Sequence, residues 1–442
     1  MLTQLSTKKI ALLAGASMSA MLASSNIVVA QEKGAVIEEI LVTAQKRSQS
    51  VQDVPIAMSA FDQVFTKRVN LDDVKDLVKF APGFSGDTKD SFIDYINVRG
   101  ISTNDFGIGG DPSVGFFKNG FYQGRNGAVV SSLFDLDRAE VLRGPQGFLF
   151  GRNAISGAIS FHTARPDFDA QSGYIDAGIG ERGILEGEAA INLPVSENFA
   201  VRVAGYTSHE NGYITNNSMP AADKIGGHDK TAGRITAALR GDNWDATLTG
   251  EYEDREGSGS TYRAIADPDV TPYLSEVLGF NVIPGADPRS IDADAPFGIY
   301  DNGEIFSITA EINVDLGAAT LTSLTGYKDH NYQYAEDFDG TAAGFNAYGQ
   351  DQTGNYFEQE LRLVSQTDGP LSWYAGVSYY KENIDTDFKS HSNEDLMCGV
   401  YYYAYYGTSN CSELWSYWEY PEFTASPGGL REDNQVRGNY HG

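Results

Sequence analysis

The strongest constraint on how this chain can fold is a two-residue alternation of apolar and polar side chains that begins near residue 172. Between Trp244 and Glu253, apolar or small residues alternate with acids and threonines, so that one face of a strand is apolar with aromatic ends. The same alternation occurs over 199–205 and 372–379. It predicts long strands with one lipid-facing row and one polar row facing a lumen, and a soluble sandwich of shorter strands is the alternative.

The links between the predicted strands show a second regularity. We predict strands at about 173–181, 183–195, 199–210, 231–241, 244–255, 304–316, 319–335, 354–366 and 371–387. After the second strand, the short links 196–198, 242–243, 317–318 and 367–370 alternate with the long links 211–230, 256–303, 336–353 and 388 onward. Because outer-membrane barrels have short turns on one side and long loops on the other, this pattern predicts an antiparallel transmembrane β-barrel over 172–442.

Composition and charge exclude several classes of protein. The 442 residues carry a formal net charge of −28, which argues against a nucleic-acid-binding protein, because that class needs a basic surface. No internal apolar run is long enough for a membrane helix, so any crossing must be made by strands. The histidines show no ligand spacing and no catalytic constellation stands out, so we predict no enzyme, no cofactor and no metal site. Asp292 and Asp294 could hold a hard cation, but a solvated loop is the favoured interpretation.

The N-terminus has the pattern of an export signal. Lys8 and Lys9 precede an uncharged stretch that ends in Val28-Val29-Ala30, which predicts a cleavable signal peptide over 1–30. A short β-prone segment, Ile40–Ala44, follows within a polar linker that extends over 31–50. A free edge strand of this kind is suited to pairing with the sheet of a partner.

Residues 51–166 predict a compact α+β domain. Asn70 is a candidate helix N-cap, and Asn119-Gly120 is a strong hairpin turn. The stretch from Leu136 to Phe161 is predicted to form strand, tight turn and strand, interrupted by Arg143-Gly144-Pro145-Gln146-Gly147.

The order of these pieces resembles the plug domain of TonB-dependent outer-membrane receptors, and most closely their siderophore-receptor type. The resemblance rests on the Arg99-Gly100 pair, the hairpin and the Leu142–Gly147 run. It implies a TonB box that contacts the inner-membrane energy transducer TonB. The residues it assigns to that contact are Glu39, Ile40, Leu41, Val42, Thr43 and Ala44.

The resemblance also implies contacts between the plug and the barrel wall. Arg99 and Arg143 are expected to form ion pairs with Glu358 and Glu360, since carboxylates in a lumen are costly to desolvate unless they are paired. The alternative is that both glutamates meet water in the lumen. Two polar loops of the plug are expected to face the ligand, or else to be plain surface loops. Their candidate residues are Asn104, Asp105, Phe106, Asp111 and Arg125.

Cys398 and Cys411 lie in a tyrosine-rich segment that we predict to be an external loop. In an oxidising compartment they are expected to form a disulfide, and a ring of this size would stabilise by about 3 kcal/mol in the chain-entropy model.

The predicted barrel is short for the family. About nine strands are expected here, whereas plugged transporters have about 22. The sequence therefore predicts a truncated product or a gene fragment. The resemblance implies TonB-driven uptake of a scarce nutrient, most often a ferric siderophore, across a bacterial outer membrane, with TonB, membrane lipid and a small ligand as partners. A secreted glycan-binding β protein and a non-functional remnant are the alternatives.

Overall fold

The computed structural model describes most of the chain after residue 40. The described residues are 41–43, 46–47, 49–71, 73–86, 96–103, 110–125, 127–129, 131–218, 225–265, 267–280, 287, 289–344, 346–366, 371–419 and 431–441, the last as backbone. The predicted signal peptide lies outside these ranges, as do Glu39, Ile40, Ala44, Asn104, Asp105 and Phe106. Among the described residues, no helix has the length and apolar character needed to cross a membrane.

The described residues within 41–166 contain a small mixed sheet, two short α-helices, a 3₁₀ helix (Val74–Lys79) and two short strand pairs, and we call this part the plug. Its strands are β1 (Leu41–Val42), β2 (Gln49–Ser50), β3 (Met58–Asp62), β4 (Phe84–Ser85), β5 (Asn97–Val98), β6 (Val114–Lys118), β7 (Phe121–Tyr122), β8 (Leu136–Arg143) and β9 (Gly157–Thr163), and its helices are α1 (Gln63–Arg68) and α2 (Gly147–Phe150). The main sheet has the order β3-β8-β9-β6-β7, in which β6 and β9 are parallel. Its apolar core includes Leu77, Val98, Phe116, Val141 and Ile159.

The local signals in the plug hold to different degrees. Asn119 and Gly120 have φ values of 50° and 84°, which suit a type I′ turn and join β6 to β7 as predicted. The predicted cap at Asn70 is wrong, because Asn70 follows α1 with a φ of 50°. The helix predicted after Asn70 is present as a short 3₁₀ helix, Val74–Lys79. The preceding helix, α1, is capped by the carboxylate of Asp62, which accepts a hydrogen bond from Phe65 N at 2.7 Å.

Among the described residues after the plug, ten long strands form one antiparallel sheet, which we call the wall. Its strands are β10 (Ser172–Ile179), β11 (Leu185–Ser196), β12 (Phe199–Glu210), β14 (His228–Arg240), β15 (Trp244–Gly257), β17 (Tyr300–Asp315), β18 (Ala319–Asp337), β19 (Asn346–Ser365), β20 (Tyr374–Asn393) and β21 (Arg431–His441). Two short strands, β13 (Thr215–Asn216) and β16 (Ser290–Ile291), pair in parallel within the loops. The wall strands follow one another in chain order, and within the described residues the sheet is open, with β10 and β21 at its edges.

The wall confirms the predicted fold class and adds one strand to it. Links 197–198, 241–243 and 316–318 are short, whereas links 211–227, 258–299 and 394–430 are long. The predicted long link 336–353 is wrong: the link 338–345 is no longer than the link 366–373, because β18 and β19 both extend into the predicted loop. The final segment is not only a loop, since it contains α3 (Glu394–Tyr406), α4 (Cys411–Tyr417) and the edge strand β21. The prediction assigned all residues from 388 onward to a loop and therefore missed β21.

The two faces of the wall have opposite character. On the outer face of β15, Leu248 is 50% exposed between the exposed rings of Trp244 and Tyr252. On the inner face, Glu251 and Glu253 are buried. A soluble sheet buries its apolar row, whereas this sheet exposes it and covers its polar row with the plug. The outer face is therefore suited to lipid.

Candidate functional site at the contact between plug and wall

The contact between plug and wall is centred on a buried ion pair between Arg125 and Glu382. Arg125 Nη2 and Nε donate to the two Glu382 carboxylate oxygens at 2.7 and 3.2 Å. Arg125 Nη1 donates to the Gly110 carbonyl at 2.6 Å, and Nη2 lies 2.9 Å from Asp111. This two-point geometry is the strong form of an arginine–carboxylate contact. Of the two residues predicted to face the ligand, Arg125 has its side chain buried against the wall, while Asp111 keeps about half of its side chain exposed, and their contact with a ligand stays a prediction.

A second arginine completes this network. Arg152 Nη2 lies 3.0 Å from Asp111 and 3.3 Å from Glu382. Its guanidinium sits over the Tyr380 ring at 4.8 Å, and the Tyr380 hydroxyl donates to Glu382 at 2.9 Å. Two cations and two anions thus neutralise one another, and this pairing offsets the desolvation free energy of the completely buried Glu382 carboxylate.

Asp135 of the plug forms a second anchor on the first strands of the wall. Arg202 donates to its two carboxylate oxygens at 2.5 and 2.8 Å, and Arg234 approaches one of them at 3.5 Å. Burial disfavours the Asp135 carboxylate. The hydrogen bond from Arg202 and the charges of both arginines outweigh this effect and hold the pKa of Asp135 below its usual value.

Lys118, at the end of β6, forms a third anchor. Its Nζ lies 2.5 Å from Glu251 of the wall, and Arg234 contacts the other oxygen of the same carboxylate at 3.1 Å. Nearby, the backbone N and hydroxyl of Ser132 donate to Glu253 at 2.8–3.0 Å. Both acids on the inner face of β15 therefore have partners in the plug.

The predicted ion pairs of Arg99 and Arg143 with the wall are wrong. Arg143 donates to the carbonyls of Met58 and Pro82 within the plug, at 2.9 and 3.1 Å. Arg99 is exposed in a turn at a φ of 54°. Carbonyls of the plug's own backbone therefore accept the hydrogen bonds of the Arg143 guanidinium.

The two wall glutamates take other partners. Glu358 accepts a hydrogen bond from Tyr122 N at 3.1 Å, and Glu360 lies 3.1 Å from Arg362 and 3.9 Å from Lys46. Sequence reasoning thus predicted the kind of contact but not the pairs. The alternation in β20 contained the missed signal, because it places Glu382 on the lumen face.

The described part of the predicted TonB box is docked on the plug. Leu41 and Val42 pair with β2, and Val42 is fully buried while Leu41 is 53% exposed. Thr43 N donates to Glu140 at 2.9 Å, and Arg138 donates to the Thr43 hydroxyl at 3.0 Å. The expectation of a free edge strand is therefore wrong for one of the two edges of β1, because β2 pairs with that edge.

Two features of the loops complete the candidate residues. Cys398 and Cys411 form a disulfide with a Cα–Cα distance of 5.1 Å, which joins α3 to α4. Asp294, Asp337 and Asp339 each place one carboxylate oxygen within 4.8 Å of the others, and this cluster could hold a metal ion. Sequence spacing could not find the cluster, since Asp294 lies on a different loop from the other two.

Comparison with known proteins also identifies a plug domain in the first part of the chain. The family model described as the TonB-dependent receptor plug domain matches residues 50–158. The pesticin receptor of Yersinia pestis is 23% identical over 263 residues, which cover 56% of this chain and 38% of that protein. The ferripyoverdine receptor of Pseudomonas aeruginosa is 24% identical over 181 residues, covering 40% of this chain and 22% of that protein.

A solved structure matches the fold over a longer stretch. The ferric yersiniabactin uptake receptor of Yersinia pestis aligns with a TM-score of 0.63 at 19% identity, covering 76% of this chain and 49% of that one. The chain thus spans about half or less of the relatives it matches. Residues 50–158 thus match the plug domain of TonB-dependent receptors, and the sheet that follows resembles an incomplete barrel wall of such receptors in its fold.

Proposed function

We propose that this protein acts in the TonB-driven uptake of a ferric siderophore across the outer membrane of a bacterium. The observation that carries the proposal is the buried Arg125–Glu382 pair, which holds a plug against the polar face of a barrel-type sheet. The printed names of the relatives, a ferripyoverdine receptor and a ferric yersiniabactin uptake receptor, favour an iron-loaded siderophore as the ligand class. Since the chain covers only part of each relative, the proposal concerns the whole receptor.

The location in the outer membrane is supported by the outer face of the wall. Its exposed side chains include Ile235, Leu248, Phe306, Ile312, Leu361 and Val377. An apolar surface of this extent would promote aggregation of a soluble protein, whereas in a bilayer the hydrocarbon chains of the lipid cover it. The charged residues between 1 and 30 and the uncharged stretch after them are consistent with export.

The contact with TonB is proposed at Leu41, Val42 and Thr43. A pull on this segment would first separate β1 from β2 and break the bonds from Thr43 to Glu140. Lys46 lies 3.9 Å from Glu360, so the same pull would reach the wall soon afterwards. The segment is thus placed to pass a force to the plug.

The test is uptake of radioactive iron by cells that lack their own siderophore receptors. The chain is expressed in matched hosts with and without TonB, and a panel of iron-loaded hydroxamate, catecholate and phenolate siderophores is supplied. We expect uptake of at least one class only when TonB is present.

Val42→Pro separates the TonB contact from ligand binding, because proline removes a backbone donor from the short strand. We expect this variant to lose uptake while it still binds ligand, and Val42→Ile to retain both. Uptake that is equal with and without TonB, or that is unaffected by Val42→Pro, would reject the proposal.

A further inference from the structure

Three aspartates from two loops meet at the end of the wall that carries the long links. Asp294 belongs to the link 258–299, Asp337 is the last residue of β18, and Asp339 lies in the link that follows it. One carboxylate oxygen of each residue lies within 4.8 Å of the other two. Like charges at this distance repel one another, so the cluster needs compensation.

The Asp337 carboxylate lacks that compensation within the protein. Its residue is only 2% exposed, and its Oδ2 has no hydrogen-bond partner. Its Oδ1 accepts a long hydrogen bond from Asp339 N at 3.3 Å. In the described part of the chain, no lysine, arginine or histidine forms an ion pair with Asp337. A buried carboxylate in this state calls for a cation or a proton.

The Asp339 carboxylate is held in position by its own loop. Thr341 donates to Oδ1 through its backbone N at 2.8 Å and through its hydroxyl at 2.6 Å, and Asn346 N donates to Oδ2 at 3.0 Å. A fixed carboxylate of this kind is a prepared ligand.

Gly344 leaves the space that Asp294 needs. A side chain at this glycine would overlap the Asp294 carboxylate. The end of β18 and the loop that follows it therefore supply Asp337 and Asp339, and the same loop makes room for Asp294.

We propose that Asp294, Asp337 and Asp339 bind one calcium ion that ties the link 258–299 to the link between β18 and β19. One oxygen of each carboxylate lies within 4.8 Å of the other two, close enough for a single hard cation to contact all three. Magnesium requires a near-ideal octahedron and usually keeps several waters, whereas calcium accepts irregular oxygen ligation, so calcium suits three carboxylates from separate parts of the chain better. Three loop carboxylates at an exported surface suggest an affinity of about 0.1–1 mM.

The test uses the full chain, purified in detergent and stripped with a chelator. Its melting temperature is followed while calcium chloride or magnesium chloride is added. We expect calcium to raise the melting temperature by several degrees, with saturation near 1 mM, and magnesium at the same concentration to have a much smaller effect. Calcium should also slow cleavage by trypsin after Arg289, which is exposed in the link 258–299.

Asp337→Asn separates a calcium site from a shared proton. We expect this variant to melt at a higher temperature than the parent in chelator, because the repulsion is relieved, and to lose the response to calcium. Asp242→Asn, an exposed aspartate in a short link at the other end of the wall, should keep the full response.

If Asp337→Asn does not fold, Asp294→Asn gives the same test from the other loop, with at least a tenfold weaker calcium response expected. No calcium-dependent shift in the parent chain, or an equal shift in the parent and in Asp337→Asn or Asp294→Asn, would overturn the proposal.

Discussion

Glu382 receives donors from three directions, from Arg125 and Arg152 of the plug and from Tyr380 of its own strand. Its carboxylate is completely buried, and its ion pairs with the arginines offset the free energy of removing these charges from water. Loss of one partner would leave the other charge buried and unpaired. Single residues at this contact should therefore have large effects.

Glu382→Gln should destabilise the folded protein by about 3–5 kcal/mol, because Arg125 would then be buried without its counter-charge. The matched control is Lys389→Gln on the same strand. Lys389 pairs with Asp351 at a site where both side chains are about one-third exposed, and its loss should cost about 0–1 kcal/mol. The measurement is the free energy of unfolding in denaturant for the detergent-solubilised chain. Equal effects of the two substitutions would contradict this prediction.

Asp135 should make the anchor on Arg202 sensitive to acid. Because the pKa of Asp135 is held below its unfolded value of about 3.9, its contribution to stability is full above that pH and is lost as the pH falls through the folded pKa. Asp135→Asn should lower stability at pH 6 and flatten the decline below pH 4, and the readout is the unfolding midpoint between pH 6 and pH 2.5.

The control for Asp135 is Asp137→Asn, whose exposed carboxylate pairs with its neighbour Arg138. This variant should follow the acid curve of the parent chain. An unchanged acid decline in Asp135→Asn would show that the anchor does not depend on this charge.

At the scale of elements, the hairpin of β6 and β7 is pressed against the wall. The ring of Phe121 lies over Gly326 of β18, and a Cβ at that glycine would overlap the ring. Gly124 and Gly127 have positive φ values and approach Tyr356 and Tyr332 of the wall in the same way. Glycines on both partners thus permit a close approach of backbone and aromatic rings.

Gly326→Ala should therefore displace the hairpin and destabilise the folded protein by about 1–3 kcal/mol, the usual cost of overpacking. The control is Gly250→Ala on β15, where a Cβ would meet open space. Melting temperatures of the two variants decide the matter. If Gly250→Ala is as destabilising as Gly326→Ala, the effect comes from the strand backbone and not from the contact with Phe121.

At the scale of the whole molecule, the wall exposes apolar side chains outward and buries polar ones inward. Leu248→Arg at the middle of β15 should lower the stability in a bilayer by about 2–4 kcal/mol, and Leu316→Arg in the short link at the rim by only about 0–1 kcal/mol. The measurement is the fraction of each variant that folds into lipid vesicles, read from heat-modifiable migration on gels. Similar losses for both variants would argue against a lipid-facing outer surface.

Much of the architecture follows from local patterns. Alternation in the second half of the chain determines which residues face outward and where β11, β12 and β15 begin and end, within a few residues. Asn119-Gly120 determines its hairpin because the two residues accept positive φ values. The prediction at Asn70 is wrong because its position before Leu71 matches the pattern of a helix N-cap, whereas in the structure Asn70 follows the C-terminal end of α1. Such local choices depend on neighbours that a short window does not contain.

Alternation and turn residues are local properties, and they predict an α+β domain followed by an antiparallel sheet, while the resemblance to TonB-dependent receptors implies that the first part is a plug. Only the tertiary structure decided which charges meet. Arg125 and Glu382 are separated by 257 positions, and Asp294 meets Asp337 across two loops. Any of several buried acids could in principle pair with any plug arginine. The docking of the plug against the wall selects the partners, since it alone sets which groups are within hydrogen-bonding distance and out of water.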